Sequence, residues 1–266
     1  MKKAIITLTL AIVAVFASAL TPEQMNDRAC QNLVGPVKKV VTTRKNTYYR
    51  NKLNPSATLN EIAWWNGTTT MRFNRAGYLL WEIYRDGDST LYTDRTARQY
   101  LMRTGYQCRD SFEMHIDYGK QSRLDTDTSD TYGASIEYTF TPWGLPLTMR
   151  ECIDASWGYK NIYEKSVGRF PAAAYMYGSD VSFTVVKYRY LAFDSHGNWT
   201  KRKVEINTGG GNTYFNDRWE LHVTTWNDDG EPRLLFTIKD PLHDPRTKRY
   251  YIETIRYTET RTITYY

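Results

Sequence analysis

The 266-residue chain is poor in the residues from which most reactive centres are built: it has three cysteines and four histidines. Cys30, Cys108 and Cys152 stand in no Cys-x-x-Cys or other metal-ligand spacing, which argues against a metal centre or a dithiol redox motif. In an oxidising compartment one disulfide would form and one thiol would remain, and spacing alone does not say which residues pair. No Gly-x-Ser-x-Gly elbow and no phosphate-binding glycine loop is present. Beyond the first residues, no apolar run approaches the roughly 20 needed to cross a bilayer as a helix. The formal charge of +6 is spread along the chain, with no basic stripe of the kind that tracks nucleic acid. Cofactors, metals and nucleic acid are therefore not expected.

What is present points to export and to β-structure. Lys2 and Lys3 precede an apolar run over residues 4–16, and Ala17-Ser18-Ala19 follows, which is the grammar of a secretory signal peptide cleaved after Ala19. The expected organisation is a leader over 1–19 and a single domain over 20–266, in the periplasm, on the cell surface or outside the cell. Aromatics make up 15% of the chain while Ala and Leu are few, the profile of half-buried pleated surfaces.

One pattern recurs four times: an aromatic, a short polar residue, two variable positions and a glycine. The copies begin at Phe73, Phe140, Phe193 and Trp226, with Asn74, Thr141, Asp194 and Asn227 as the polar residue and Gly77, Gly144, Gly197 and Gly230 closing them. A short oxygen-bearing side chain at the first position of a type I turn accepts a backbone hydrogen bond, and glycine takes the positive φ that follows. Alternating segments flank each copy. Ile136, Tyr138 and Phe140 alternate with Ser135, Glu137 and Thr139, and Leu234, Phe236 and Ile238 keep the same period. These are strand–turn–strand units, so His196 reads as a turn-tip residue and Asp194 as a backbone acceptor.

The stretch Tyr190-Leu-Ala-Phe193-Asp194-Ser-His-Gly197-Asn-Trp199 resembles the YD repeat of RHS-type repeat proteins. The borders at Gly35-Pro36-Val37 and at residues 259–266 also look like those of small exported bacterial proteins carrying such repeats. The resemblance implies stacked antiparallel hairpins in a long curved sheet, and roles in surface display, carbohydrate contact or encapsulation. Only the copy at 193–197 has the aromatic-Asp pair, and the chain is too short for a toxin-holding shell. The expected fold is mainly β: antiparallel hairpins forming a curved or folded-over sheet, with one or two short helices.

Between the hairpins, Thr21-Pro22-Glu23-Gln24 predicts a helix start with a capping box, continued by Met25, Ala29 and Leu33 and stopped by Gly35-Pro36, which would cover one end of the sheet. Residues 37–49 and 61–73 read as strands, 94–103 as a short helix, 119–134 as an exposed loop, 207–212 as a flexible tip, and 250–257 and 258–266 as closing strands. Residues 154–180 follow no period and read as a long irregular insertion, a place where function often sits.

The functional expectation rests on aromatics. Trp143 at a turn tip, Trp199 just past one, and Trp157 and Tyr159 in the insertion are the candidate ligand-binding residues, since exposed aromatics stack on sugars or anchor proteins. His243 beside Asp240 and Asp244 reads as a turn rather than a metal site. Carboxylates are too numerous for an acid pair to be singled out; Glu82 with Glu137, or Glu151 with Glu205, would be arbitrary choices. The expected function is non-enzymatic binding or structure at the cell envelope, with a glycan or envelope protein as partner. The alternative is a glycan-acting enzyme with carboxylate catalysis near 154–180, which a buried, pKa-raised carboxylate pair in a cleft would favour. An outer-membrane barrel is a third option, opposed by charges on both parities of the strands and by the alternation of Thr260, Thr262 and Thr264 with the final aromatics.

Overall fold

A computed structural model describes residues 19–104, 110–128, 135–152, 157–164, 166–178, 181–210, 212–227 and 231–266. The chain is mainly β, as its composition predicts, but the sheet closes on itself. The first strands are β1 (Val37–Asn51), β2 (Gly67–Phe73), β3 (Leu79–Ile83), β4 (Ser89–Thr93), β5 (Gln99–Thr104), β6 (Asp110–Tyr118) and β7 (Ser122–Asp127). They continue as β8 (Ser135–Phe140), β9 (Pro146–Cys152), β10 (Trp157–Ile162), β11 (Ala173–Gly178), β12 (Val181–Phe193) and β13 (Trp199–Gly209). The excursion β14 (Thr213–Phe215), β15 (Leu221–Trp226) and β16 (Pro232–Ile238) precedes β17 (Tyr251–Tyr265). Strands β1 to β13 follow one another as an antiparallel meander, and β17 fits between β13 and β1 to seal a 14-stranded barrel. The seam is long: Val37 pairs with Tyr265 at one end and Asn51 with Glu253 at the other.

Alternation separates lumen from exterior. On β6, Phe112, Met114 and Ile116 are buried while Glu113, His115 and Asp117 are exposed, and on β17 Ile255, Tyr257 and Glu259 are buried between exposed Arg256 and Thr260. Strands β14 to β16 form a separate small sheet laid on the outside of the wall. Its Phe215, Trp219 and Leu221 pack on Tyr175, Phe183 and Val185, whereas Ala174 and Val186, on the other face of the same strands, belong to the luminal cluster.

The recurring corners behave as their chemistry requires. Asn74 Oδ1, Thr141 Oγ1, Asp194 Oδ1 and Asn227 Oδ1 each accept the backbone N–H four residues on, from Tyr78, Leu145, Asn198 and Glu231. Gly77, Gly144 and Gly197 have φ of +93°, +77° and +79°; Gly230 lies outside the described residues. A fifth copy exists at Phe215-Asn216-Asp217-Arg218-Trp219: Asn216 Oδ1 accepts from Glu220 N at 2.9 Å, and Trp219 adopts φ +63° where the others have glycine.

Three of these corners surround one end of the barrel, and the N-terminal segment fills that end. Residues 22–25 form a 3₁₀ turn with the predicted capping box between Thr21 and Gln24, and α1 (Asp27–Cys30) follows. Its Asn26 and Arg28 side chains donate to the carbonyls of Ala76 and Arg75 in the first corner. Val34 N and O are held by the Asn198 side chain behind the third. Asn198, the first residue of a glycosylation-like triplet, is thus fully buried as a rivet between plug and rim. Leu20, Met25 and Cys30 pack on Phe140, and Leu33 on Phe73 and Leu79. The luminal face also receives Ile62 and Trp65 from a 3₁₀ helix, Leu59–Trp65, which packs against Val186, Val204 and Ile255.

Several sequence expectations are corrected. Residues 99–104 are strand rather than helix, because Asp94 at φ +51° and Thr96, whose hydroxyl accepts from Gln99 N, turn the chain into β5. The exposed loop expected over 119–134 contains β7, with Arg123, Asp125 and Asp127 buried in the lumen. The insertion over 154–180 supplies two wall strands, β10 and β11; it has no alternation because the small sheet covers the outer face of β11. Residues 61–65 belong to the 3₁₀ helix, the expected tip at 207–212 continues β13 to Gly209, and the two closing strands are a single one.

Candidate functional site in the barrel lumen

Plug and wall leave two adjoining chambers, which share Cys30, Gln31, Tyr138, Met149 and Trp157 as their partition. The larger, of about 430 Å³, is bounded by β3 to β9 and the plug. Its foundation is a buried charge network. Arg123, 1% exposed, grips Asp125 with Nε and Nη2 at 2.7 and 2.5 Å and donates from Nη1 to Asp27 Oδ1 at 2.6 Å. Arg95 reaches Asp27 Oδ2 at 2.5 Å and lies 3.7 Å over the Tyr100 ring, while Leu79 N donates to the same carboxylate. Burial would raise the Asp27 pKa, but Arg123 and Arg95 outweigh it and hold the carboxyl at about 2. The plug is therefore latched to β7 and to the loop between β4 and β5 by a fixed anion between two guanidiniums.

The same chamber holds two carboxylates without a cation. Burial pushes Glu82 up to about 7 and raises Glu151 as well; Tyr84, between their fields, hydrogen-bonds Glu82 and Thr90. Sequence gave no reason to associate Glu82 with Glu151: they sit on β3 and β9, which only barrel closure brings to one space.

The smaller chamber, of about 280 Å³, is lined by β8 to β13, β17 and the plug. Three of the four aromatics singled out from sequence, Trp157, Tyr159 and Trp199, meet here. Trp143 does not; it stands 61% exposed on the outer corner of Gly144. Trp199 is 2% exposed, so it is no surface platform, and the guanidiniums of Arg202 and Arg261 lie 4.1 and 3.7 Å from its ring centroid. Trp157 is 37% exposed and borders both chambers. Tyr159, Tyr188 and Tyr190 add phenol faces.

The basic wall of this chamber follows from strand register. Glu259 on β17 is paired with Arg44 on β1 and Arg202 on β13, which bind its two oxygens at 2.9 and 2.7 Å. Burial opposes ionisation of Glu259, yet the two arginines bring its pKa to about 2. Arg261, two residues along the same face, has Nε 3.3 Å from Thr42 Oγ1 and a buried Nη1 with no hydrogen-bond partner among the described residues. Burial and the charge of Arg202 lower its pKa to about 9.

Outside the lumen, the remaining sequence candidates are structural. His196 stacks on Tyr265 with ring centroids 3.9 Å apart, and Asp194 takes the Tyr265 hydroxyl as well as two corner amides. His243 Nδ1 is 2.9 Å from Asp240 Oδ2, and among the described residues no group of His, Cys, Asp and Glu is arranged to hold a metal. Cys30 is free and buried, its thiol pushed up to about 12 by burial; any pairing of Cys108 with Cys152 lies outside the described residues. No helix among the described residues is long and apolar enough to cross a membrane. Neither protein-family models nor curated proteins give a match to the chain.

Proposed function

We propose that this is an exported, non-enzymatic binding protein of the cell envelope whose barrel lumen holds a carbohydrate-sized ligand. The observation that carries the reading is the convergence of Trp157 and Tyr159, from β10, with Trp199, from β13, on one chamber. Pockets for small ligands are concave, aromatic-rich and furnished with a few oriented polar groups, and this chamber adds Asn161 and two arginines to its rings. Its volume of about 280 Å³ lies just below the roughly 300–1,000 Å³ range for ligand sites, which restricts it to a short saccharide. Exposed charges at Lys45, Arg189, Lys201, Lys203 and Arg256 on the outer wall favour an aqueous surrounding over a lipid-facing band. The glycine-bearing corners support kinship with YD-repeat proteins, folded here as a closed meander. Glycan-array binding by the mature protein tests this: Trp157→Ala should abolish a signal that Trp143→Ala leaves intact. A silent array, or equal loss in both variants, refutes luminal binding.

One observation favours a second reading, a glycan-acting enzyme. Glu82 and Glu151 share the larger chamber, both with raised pKa, as an acid and base in a hydrolase would. Release of reducing ends from an array-positive glycan, abolished in Glu82→Gln, would establish it; intact glycan after prolonged incubation refutes it.

A further inference from the structure

The smaller chamber has a charge imbalance that its own residues do not resolve. Its lining contains Arg202 and Arg261 and no carboxylate. The nearest acid, Glu259, is already engaged on both oxygens by Arg44 and Arg202, so three guanidiniums share one carboxylate. Arg261 is the one left over: it stacks on Trp199 and contacts a threonine hydroxyl, and its buried Nη1 donates to no atom of the described residues. A largely buried guanidinium with a donor unmet is costly, and an apolar side chain of similar volume in its place is often neutral or stabilising for the fold. Such a group is explained when an anion completes it.

We propose that this chamber binds a saccharide unit bearing a carboxylate, a uronic acid, with Arg261 as the anion-selecting residue. The inference deepens the luminal-binding reading and rests on it. A guanidinium presents parallel N–H donors that match a carboxylate, which lysine does not. Trp199 is a positioning residue, since Arg202 and Arg261 already lie against its ring. Stacking on the sugar ring therefore falls to Tyr159 and Trp157, which line the same chamber.

The test is calorimetric titration of the mature protein at low ionic strength with a disaccharide ending in glucuronate and with its neutral glucose counterpart. The acidic sugar should bind at least roughly tenfold tighter, a difference of about 1.4 kcal/mol. In Arg261→Met the ratio of the two affinities should fall to about one, and in Arg261→Lys the preference should be only partly retained. Equal affinity of the wild-type protein for both sugars, or an unchanged preference in Arg261→Met, overturns the inference and leaves luminal binding standing. Binding of neither sugar at millimolar concentration overturns both. Thermal unfolding of Arg261→Met at or above the wild-type temperature establishes that any lost preference comes from the missing charge; marked destabilisation would itself contradict an unsatisfied cation.

Discussion

Replacing Asp27 by asparagine isolates the latch between plug and wall. The carboxylate is nearly enclosed, its side chain 13% exposed, between Arg95 and Arg123, both at least as deeply buried. Its pKa of about 2 in the fold compares with 3.8 for the free group. Because the native value lies below the unfolded one, the native state holds fewer protons between them, so the contribution is complete above pH 4 and disappears as pH falls through 2. At about 1.4 kcal/mol per pKa unit this amounts to about 2.4 kcal/mol. Asp27→Asn keeps the shape but strips Arg95 of its carboxylate and leaves Arg123 with Asp125 alone, so its cost near neutrality should reach about 3–5 kcal/mol. Urea denaturation followed by tryptophan fluorescence, at pH 6 and pH 2.5, measures both. The stability gap between wild type and variant should shrink by about 1.6 kcal/mol at the lower pH. Glu259, which titrates in the same window, is common to both proteins and cancels in that difference. A gap of the same size at both pH values would refute an ionised Asp27 as the latch.

Gly77 and Gly87 have nearly the same positive φ, +93° and +91°, but a Cβ at Gly77 would strike Asn26 and Arg28 of the plug while one at Gly87 meets nothing. Gly77→Ala should therefore lose clearly more stability than Gly87→Ala, which should show only the roughly 1 kcal/mol backbone term; equal losses in thermal melts would contradict the seating of the plug on that corner. Burial keeps Glu82 protonated up to about 7 against 4.5 for the free group, so the native state binds the extra proton and stability declines as pH rises through that interval. Glu82→Gln should match wild type at pH 4 and exceed it by about 1–3 kcal/mol at pH 8; a wild-type profile that stays flat over this range would count against the uncompensated carboxylate.

The corners and their flanking strands were legible in the sequence because their requirements are local: an oxygen to take an amide, and a residue tolerant of positive φ. The fifth corner was hidden because Trp219 stands where glycine is expected, held there by its packing on Phe215 and Tyr177. Strands were missed where the lumen is polar. On β7 the inward residues are Arg123, Asp125 and Asp127, and the outward parity carries the strand's one aliphatic side chain, Leu124, so hydrophobicity points the wrong way. On β11 both faces are covered, which erases the alternation. The chambers were beyond reach altogether, since Glu82 and Glu151, or Arg44 and Arg202, share a space only after β17 enters. Trp157 and Tyr159 could be found as aromatics two residues apart, but not their meeting with Trp199.

The position of β17 has a kinetic consequence. Until that strand arrives, β1 and β13 both present long unpaired backbones, and the contacts that quench them join residues more than 200 apart in the case of Val37 and Tyr265. Contacts so distant in sequence form slowly, so a nascent or stressed molecule exposes two sticky borders at once. The outward lysines on those borders, Lys45 on one and Lys201 and Lys203 on the other, repel like copies during that interval and disfavour mispairing before the cylinder is sealed.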